Sequence, residues 1–92
     1  LKVESLNGDF VQKYKIEADK GVVITQIKED TPAANSNLSI GDVIIEINQQ
    51  PVNDIADYKE IISQLKKNNP EIILFYVKAK NGTYRFVPVN LQ

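Results

Sequence analysis

Ninety-two residues, 42% of them apolar and 25% charged, are enough for one soluble domain with a single core and too few for two. The net charge of −1, with Lys and carboxylates interspersed, argues against the broad basic footprint that nucleic acid or an anionic membrane surface requires. Without Cys or His the chain can form no disulfide, thiol nucleophile, Cys-based metal site or Ser-His-Asp set, and no apolar run approaches the ~18 residues of a membrane-spanning helix.

Leu1-Lys2-Val3-Glu4 alternates apolar and polar, as a half-buried strand does. Between Leu6 and Ile16, Phe10, Val11 and Tyr14 fall at helical spacing, and Asn7 or Asp9 is placed to cap a short helix. Gly21 to Lys28 is β-branched and too continuously apolar for strict alternation, so it predicts a strand buried on both faces or bulged. Thr31-Pro32 has the pattern of a helix start, with Thr as N-cap and Pro in the first turn. Asn37 is then the expected left-handed terminating residue, and Gly41-Asp42 a turn in which Asp bonds nearby backbone.

Val43 to Ile47 predicts a second buried strand, followed by a turn at Asn48-Gln49-Gln50 and an edge strand at Pro51-Val52. Asn53 or Asp54 caps the one long helix, Ile55 to Lys67, whose apolar stripe is Ile55, Tyr58, Ile61, Ile62 and Leu65. Asn68-Asn69-Pro70 ends it. Glu71 to Lys80 predicts a third long strand, Asn81-Gly82 a type I′ hairpin, and Thr83 to Val89 a last strand alternating on Tyr84, Phe86 and Val89. Pro88 confines that strand to an edge or an end. Strands gathered around a capping helix imply an α+β fold, a partly open β-barrel of five or six strands with one long and one or two short helices.

Chemistry is thinly represented. Asp30 with Asp42, or Glu60 with Lys66, are the acid-base pairs the chain offers, and surface charge is the plainer reading of both. The glycines at 8, 21, 41 and 82 stand alone, so no phosphate loop occurs. The lysines of Val11 to Ile16 and of Leu65 to Asn69 read as solvated faces.

Four stretches carry a resemblance: GVVIT at 21–25, TPAA at 31–34, the LxxGDVIxxIN pattern from Leu38 to Asn48, and Pro51-Val52. Together with the helix that follows and IILFYVKAKNGTYRFVPVNL from Ile72 to Leu91, the chain resembles the PDZ family, in the form found in bacterial HtrA/Deg serine proteases. The final Arg-Phe-Val strand looks like the second, C-terminal PDZ copy of such a protease. The chain departs from the family pattern at Asn37 and Gln49, where the family has Gly.

The resemblance implies a single PDZ domain over residues 1–92, excised from a longer, periplasmic serine endopeptidase of protein quality control. The family's carboxylate-binding loop would fall just before Leu1, leaving Leu1 as its last apolar member. In that reading the domain is not itself an enzyme, needs no cofactor, and binds the apolar-ended C-termini of peptides or unfolded proteins by strand addition beside Leu1, Lys2, Val3 and Glu4. Tyr58, Ile62 and Leu65 face the groove, and Ile61 and Ile55 the core. The helix register is open by one residue, so Ile61 and Ile62 exchange roles in the other setting. The terminal pocket falls to Leu1, Val3, Ile62 and Leu65, with no Arg or Lys obviously placed beside the carboxylate. Other expected partners are the protease domain and further domains of the same protein, without nucleic acid or a membrane span. The alternative is an assembly domain whose groove is occluded within the protease oligomer, and the remotest possibility an enzyme in its own right.

Overall fold

The computed structural model describes residues 1–91. Its elements, in chain order, are β1 (Lys2–Ser5), α1 (Asp9–Lys13), β2 (Val22–Gln26), β3 (Val43–Ile47), β4 (Gln50–Pro51), α2 (Ile55–Asn68), β5 (Ile72–Lys78) and β6 (Tyr84–Asn90). Every pairing is antiparallel and the strands run β1-β2-β3-β5-β6, with β4 attached to β3. The sheet does not close, so β1 and β6 are its edges. This is the expected α+β fold, six strands with one long and one short helix.

β2 is buried on both faces, with Val22, Val23 and Ile24 all at 0% exposure. It also lies opposite an irregularity: Lys2 faces Gln26 and Val3 faces Ile24, so Thr25 is the extra residue of a bulge. Gly21 before it has φ +111°, and a Cβ there would sit 2.4 Å from the Ile44 carbonyl oxygen. Only glycine allows that approach of the two strands.

Two loop expectations are corrected. The segment from Thr31 is a run of turns, not a helix. Thr31 does cap, its Oγ1 accepting the Ala34 amide at 3.3 Å, but Ser36 Oγ donates to the Ala33 carbonyl (2.6 Å) and accepts from the Leu38 amide (3.2 Å). That local side-chain bonding competes with a continuing helix. Asn37 is not among the positive-φ residues; the left-handed position of this loop is Asp30, φ 59°. In α1 the N-cap is Gly8, which makes no side-chain cap bond, so neither Asn7 nor Asp9 caps it.

The β3–β4 connection is a two-residue turn closed by the Ile47–Gln50 pair, with φ 50° at Asn48 and 67° at Gln49. Both central residues are left-handed, as a type I′ turn demands. Gln49 therefore adopts the positive φ that its side chain disfavours. Asn48 repays its own conformation: its amide donates to the Leu74 carbonyl (2.7 Å) and its Oδ1 accepts the Leu74 amide (2.8 Å), extending the β3–β5 ladder.

α2 starts at Asp54, whose Oδ1 accepts the Asp57 amide at 2.9 Å, while Asp57 Oδ2 accepts the Asn53 amide at 3.0 Å. The two carboxylates thus satisfy two amides near the helix start and favour its dipole. Asn69, left-handed with φ 49°, ends it and returns its amide to the Leu65 carbonyl at 2.9 Å.

The β5–β6 hairpin is not type I′. The Ala79 amide bonds the Thr83 carbonyl (2.7 Å), the Gly82 amide bonds Ala79 (2.9 Å), and only Gly82 is left-handed. Three residues separate the bonded pair, as in a turn followed by a Gly bulge. Asn81 contributes instead through Oδ1, which accepts the Thr83 amide at 3.0 Å. In β6 the expected inward face holds at Val89 only: Val87 and Val89 are buried, whereas Tyr84 and Phe86 are 53% and 58% exposed. The Tyr76 ring lies between them on the outer face, 5.8 Å from Tyr84 and 4.4 Å from Phe86.

Candidate functional site: the groove between β1 and α2

β1 is an edge strand whose middle residue faces outward. The Ile24 amide donates to Asp42 (2.9 Å) and its carbonyl accepts from Gly41 (2.8 Å), both on the side away from β1. In an antiparallel ladder bonded and non-bonded pairs alternate, so the Val3–Ile24 pair exchanges no main-chain bonds and the amide and carbonyl of Val3 point to the free edge. The Ser5 carbonyl also points outward but is taken by the Gly8 amide at 3.1 Å. The open edge is therefore short and centred on Val3.

α2 packs beside β1 and supplies the facing wall. Its register is decided by burial. Ile61 and Leu65 are core residues, and Ile55, Tyr58 and Ile62 are half-buried against them. Burying each aliphatic side chain contributes about 1.5–3 kcal/mol. Tyr58 and Ile62 then line a cavity of about 300 Å³ together with Leu1, Thr31, Pro32, Ala33, Lys66, Ile73, Phe75, Val89 and Leu91. A second cavity of about 320 Å³ shares Ile62, Lys66, Ile73 and Leu91 and adds Leu65, Asn69 and Pro70.

Of the residues singled out in the sequence, the structure thus brings together Leu1, Tyr58 and Ile62, with Leu65 in the adjoining cavity. Val3 packs against the core and lines neither cavity, and Lys2 is exposed. Glu4 lies at the other end of β1, its carboxylate close to Gly8. Ile61 borders a different hollow on the far side of α2, with Gln50, Pro51, Asp57, Glu60 and Gln64.

Sequence reasoning took Lys66 for solvated charge and placed no lysine beside the groove. Lys66 continues the row Tyr58, Ile62 at a spacing of four, which puts all three on one helix face. Among the described residues it is the one charged side chain lining either cavity. The walls from Ile73, Phe75, Val89 and Leu91 carried no such signal, because they come from strands whose facing is set by the fold.

Burial pushes the Tyr58 phenol above its ordinary pKa of 10.0, since the apolar wall disfavours the phenolate. The acid-base pairs do not assemble. Asp42 bonds Arg85, and Glu60 and Lys66 border different hollows. Among the described residues no cluster of three metal-ligating side chains occurs. The arrangement offers an unpaired strand segment opposite an apolar helix face, which suits an extended chain and not bond-making chemistry.

Known proteins agree with this geometry. A solved structure of the HtrA3 PDZ domain, bound to a phage-derived ligand (FGRWV), superposes with a TM-score of 0.74 over 98% of this chain and 79% of its own, at 16% identity. A probable periplasmic serine endoprotease DegP-like from Rickettsia conorii is 35% identical over 89 residues, 96% of this chain. A similarly described protein from Pseudomonas fluorescens is 35% identical over 74 residues, 77% of the chain. The periplasmic serine endoprotease DegP of Salmonella typhimurium is 52% identical over 44 residues, 48% of the chain. The chain spans only 16%, 16% and 9% of those three proteins. The profile of the PDZ domain accounts for residues 3–83, from the exposed edge of β1 through α2 to the β5–β6 turn. By that match, and by the open edge facing α2, the chain belongs to the PDZ domain family.

Proposed function

We propose that the domain binds the apolar C-terminal end of an extended peptide, which adds as an antiparallel strand beside β1. The observation that carries this reading is the outward amide and carbonyl of Val3 facing the apolar row Tyr58–Ile62. Main-chain bonds to Val3 supply register, and the peptide's last side chain enters the cavity between Leu1 and Ile62. Leu65, Lys2 and Glu4 flank that path. Lys66, on the same rim, offers the terminal carboxylate a positive charge, beside the backbone amides of the carboxylate loop that the PDZ resemblance implies just before or at Leu1. The similar HtrA3 domain was crystallised with a ligand ending in Val, which supports an apolar last residue.

In this reading the 92 residues form one PDZ module, the second copy of a periplasmic HtrA-like serine endopeptidase, and serve to hold substrates or gate the protease domain. That the similar bacterial proteins are periplasmic serine endoproteases supports the periplasm and the parent activity. Titration with a pentapeptide ending in Val, free and C-terminally amidated, tests the reading. Saturable binding of the free acid, weakened by amidation and by Ile62→Asp, is expected. Equal affinity for both peptides, or no saturation, overturns carboxylate capture and leaves the occluded, assembly-domain reading.

A further inference from the structure

A polar cleft lies apart from the groove. It lies between the α1–β2 segment and the β5–β6 hairpin, holds about 340 Å³, and is lined in part by Tyr14, Lys15, Glu17, Lys78, Lys80 and Gly82. It shares no lining residue with the two cavities beside α2. Its volume lies within the roughly 300–1,000 Å³ typical of small-molecule sites.

Three lysines converge on this cleft from parts of the sequence more than sixty positions apart, and among the described residues Glu17 is its one carboxylate. Among the described residues the single ion pair within 4.0 Å is Arg85–Asp42, so Lys15, Lys78 and Lys80 form none, and Glu17 offsets one of their three charges from the same cleft. Two of the three lysines are held by their surroundings. Lys78 Nζ donates to the Glu17 carbonyl at 2.9 Å, which spans the cleft, and lies 5.9 Å from the Tyr84 ring centre. The Lys80 stem lies across Gly41 so closely that a Cβ there would come within 2.4 Å of Lys80 Cε. Lys15 is the left-handed residue, φ 51°, that ends α1: its amide bonds the Gln12 carbonyl (3.4 Å) and the Ile16 amide the Val11 carbonyl (3.0 Å), which sets where its side chain leaves the backbone. A neighbouring hollow shares Lys78 and adds Lys20 with Asp19, which offset one another, so the positive excess belongs to the cleft itself. In a chain of net charge −1 this is a local excess of positive charge.

We propose that this cleft is an anion site and that its ligand is a small phosphate-bearing anion. Lysine ammonium groups act as point charges that suit phosphate oxygens from several directions, whereas the planar fork of Arg is the better partner of a single carboxylate. Three ammonium groups with one carboxylate favour a multiply charged ligand, because each attraction scales with ligand charge. The site does not depend on the groove, so either proposal stands or falls without the other.

The test is a titration of the ¹⁵N-labelled chain with sodium pyrophosphate, followed by amide shifts at fixed ionic strength. Saturable shifts confined to 15–17 and 78–82 are expected. Lys15→Gln and Lys80→Gln, both at exposed positions, are each expected to weaken binding about threefold and together about tenfold, while Lys67→Gln on α2 leaves it unchanged. Shifts without saturation, shifts as large at Lys2 or Lys67, or equal weakening by Lys67→Gln overturn the proposal. Cosedimentation with phosphatidylglycerol vesicles separates the sources of phosphate. Binding lost in the Lys15→Gln/Lys80→Gln variant marks a lipid headgroup, and pyrophosphate binding without cosedimentation marks a free anion.

Discussion

Arg85 Nη2 lies 2.6 Å from Asp42 Oδ2 and 2.6 Å from the Asn37 carbonyl, tying β6 to the loop that enters β3. Asp42 is only 2% exposed, and its second partner is the Ser39 amide at 2.9 Å, on the same oxygen. Removing one member of such a pair leaves a buried charge without compensation. Arg85→Met is therefore expected to destabilise the fold by about 2–3 kcal/mol, read as a lower urea midpoint. The double variant with Asp42→Asn should lose less than the sum of the single losses. Strict additivity in that cycle would show that the pair is not coupled.

Gln49 is strained and Asn48 is not free to change. With φ 67° and an exposed side chain that makes no bond, Gln49→Gly converts the turn to Asn-Gly, the preferred type I′ pair. The expected gain is about 1 kcal/mol, or roughly 4–8 °C in Tm for a domain of this size. Asn48→Gly in the same turn should lose stability, because it removes the Oδ1 bond to Leu74. A thermal melt of the two variants that ranks them the other way contradicts this account.

Pro88 guards the second sheet edge. The bonded pairs Ala79–Thr83 and Glu71–Leu91 fix the alternation of the β5–β6 ladder, so residues 84, 86 and 88 direct their main-chain groups outward. A proline at 88 removes a donor from that row. Pro88→Val restores it beside the exposed Tyr84 and Phe86, and concentration-dependent self-association is expected in sedimentation velocity. A monomer at all concentrations would place the protection elsewhere.

Tyr58 makes stability depend on alkaline pH. Its folded-state pKa lies above the unfolded 10.0 because burial disfavours the phenolate. The unfolded chain therefore loses this proton first, and the stability the neutral phenol contributes is intact below pH 10.0 and declines as pH rises toward the folded pKa. Tyr58→Phe lacks that decline. The difference in unfolding free energy between the two proteins should stay flat below pH 9 and shift in favour of Phe beyond pH 10. A constant difference across the range rules out a buried phenol.

Much of the fold was legible because its strongest signals are local. The α2 stripe, the Asp54 cap, the Asn69 stop and the β-branched run of β2 each follow from a few adjacent residues. What was not legible depends on partners distant in sequence. Nothing near Tyr84 or Phe86 shows that they face outward, since the choice between two faces of β6 is made by the core that receives Val87 and Val89. Asn37 is not the left-handed residue, and the partner of its carbonyl, Arg85, lies 48 residues away. Beside α2, helical spacing marked the apolar stripe that includes Tyr58 and Ile62, the PDZ resemblance turned that stripe toward a groove, and Lys66 lay on the same row. The strand residues behind them, Ile73 and Val89, enter only through topology.

The two edges of the sheet differ in what they accept. At β1 the row of main-chain groups offered is short, bounded on one side by the bulge at Thr25 and on the other by the Gly8 amide on Ser5. At β6 the row is interrupted at Pro88. The backbone thus sets a short footprint at one edge and an incomplete donor row at the other, so the two edges are not equivalent surfaces for a further strand.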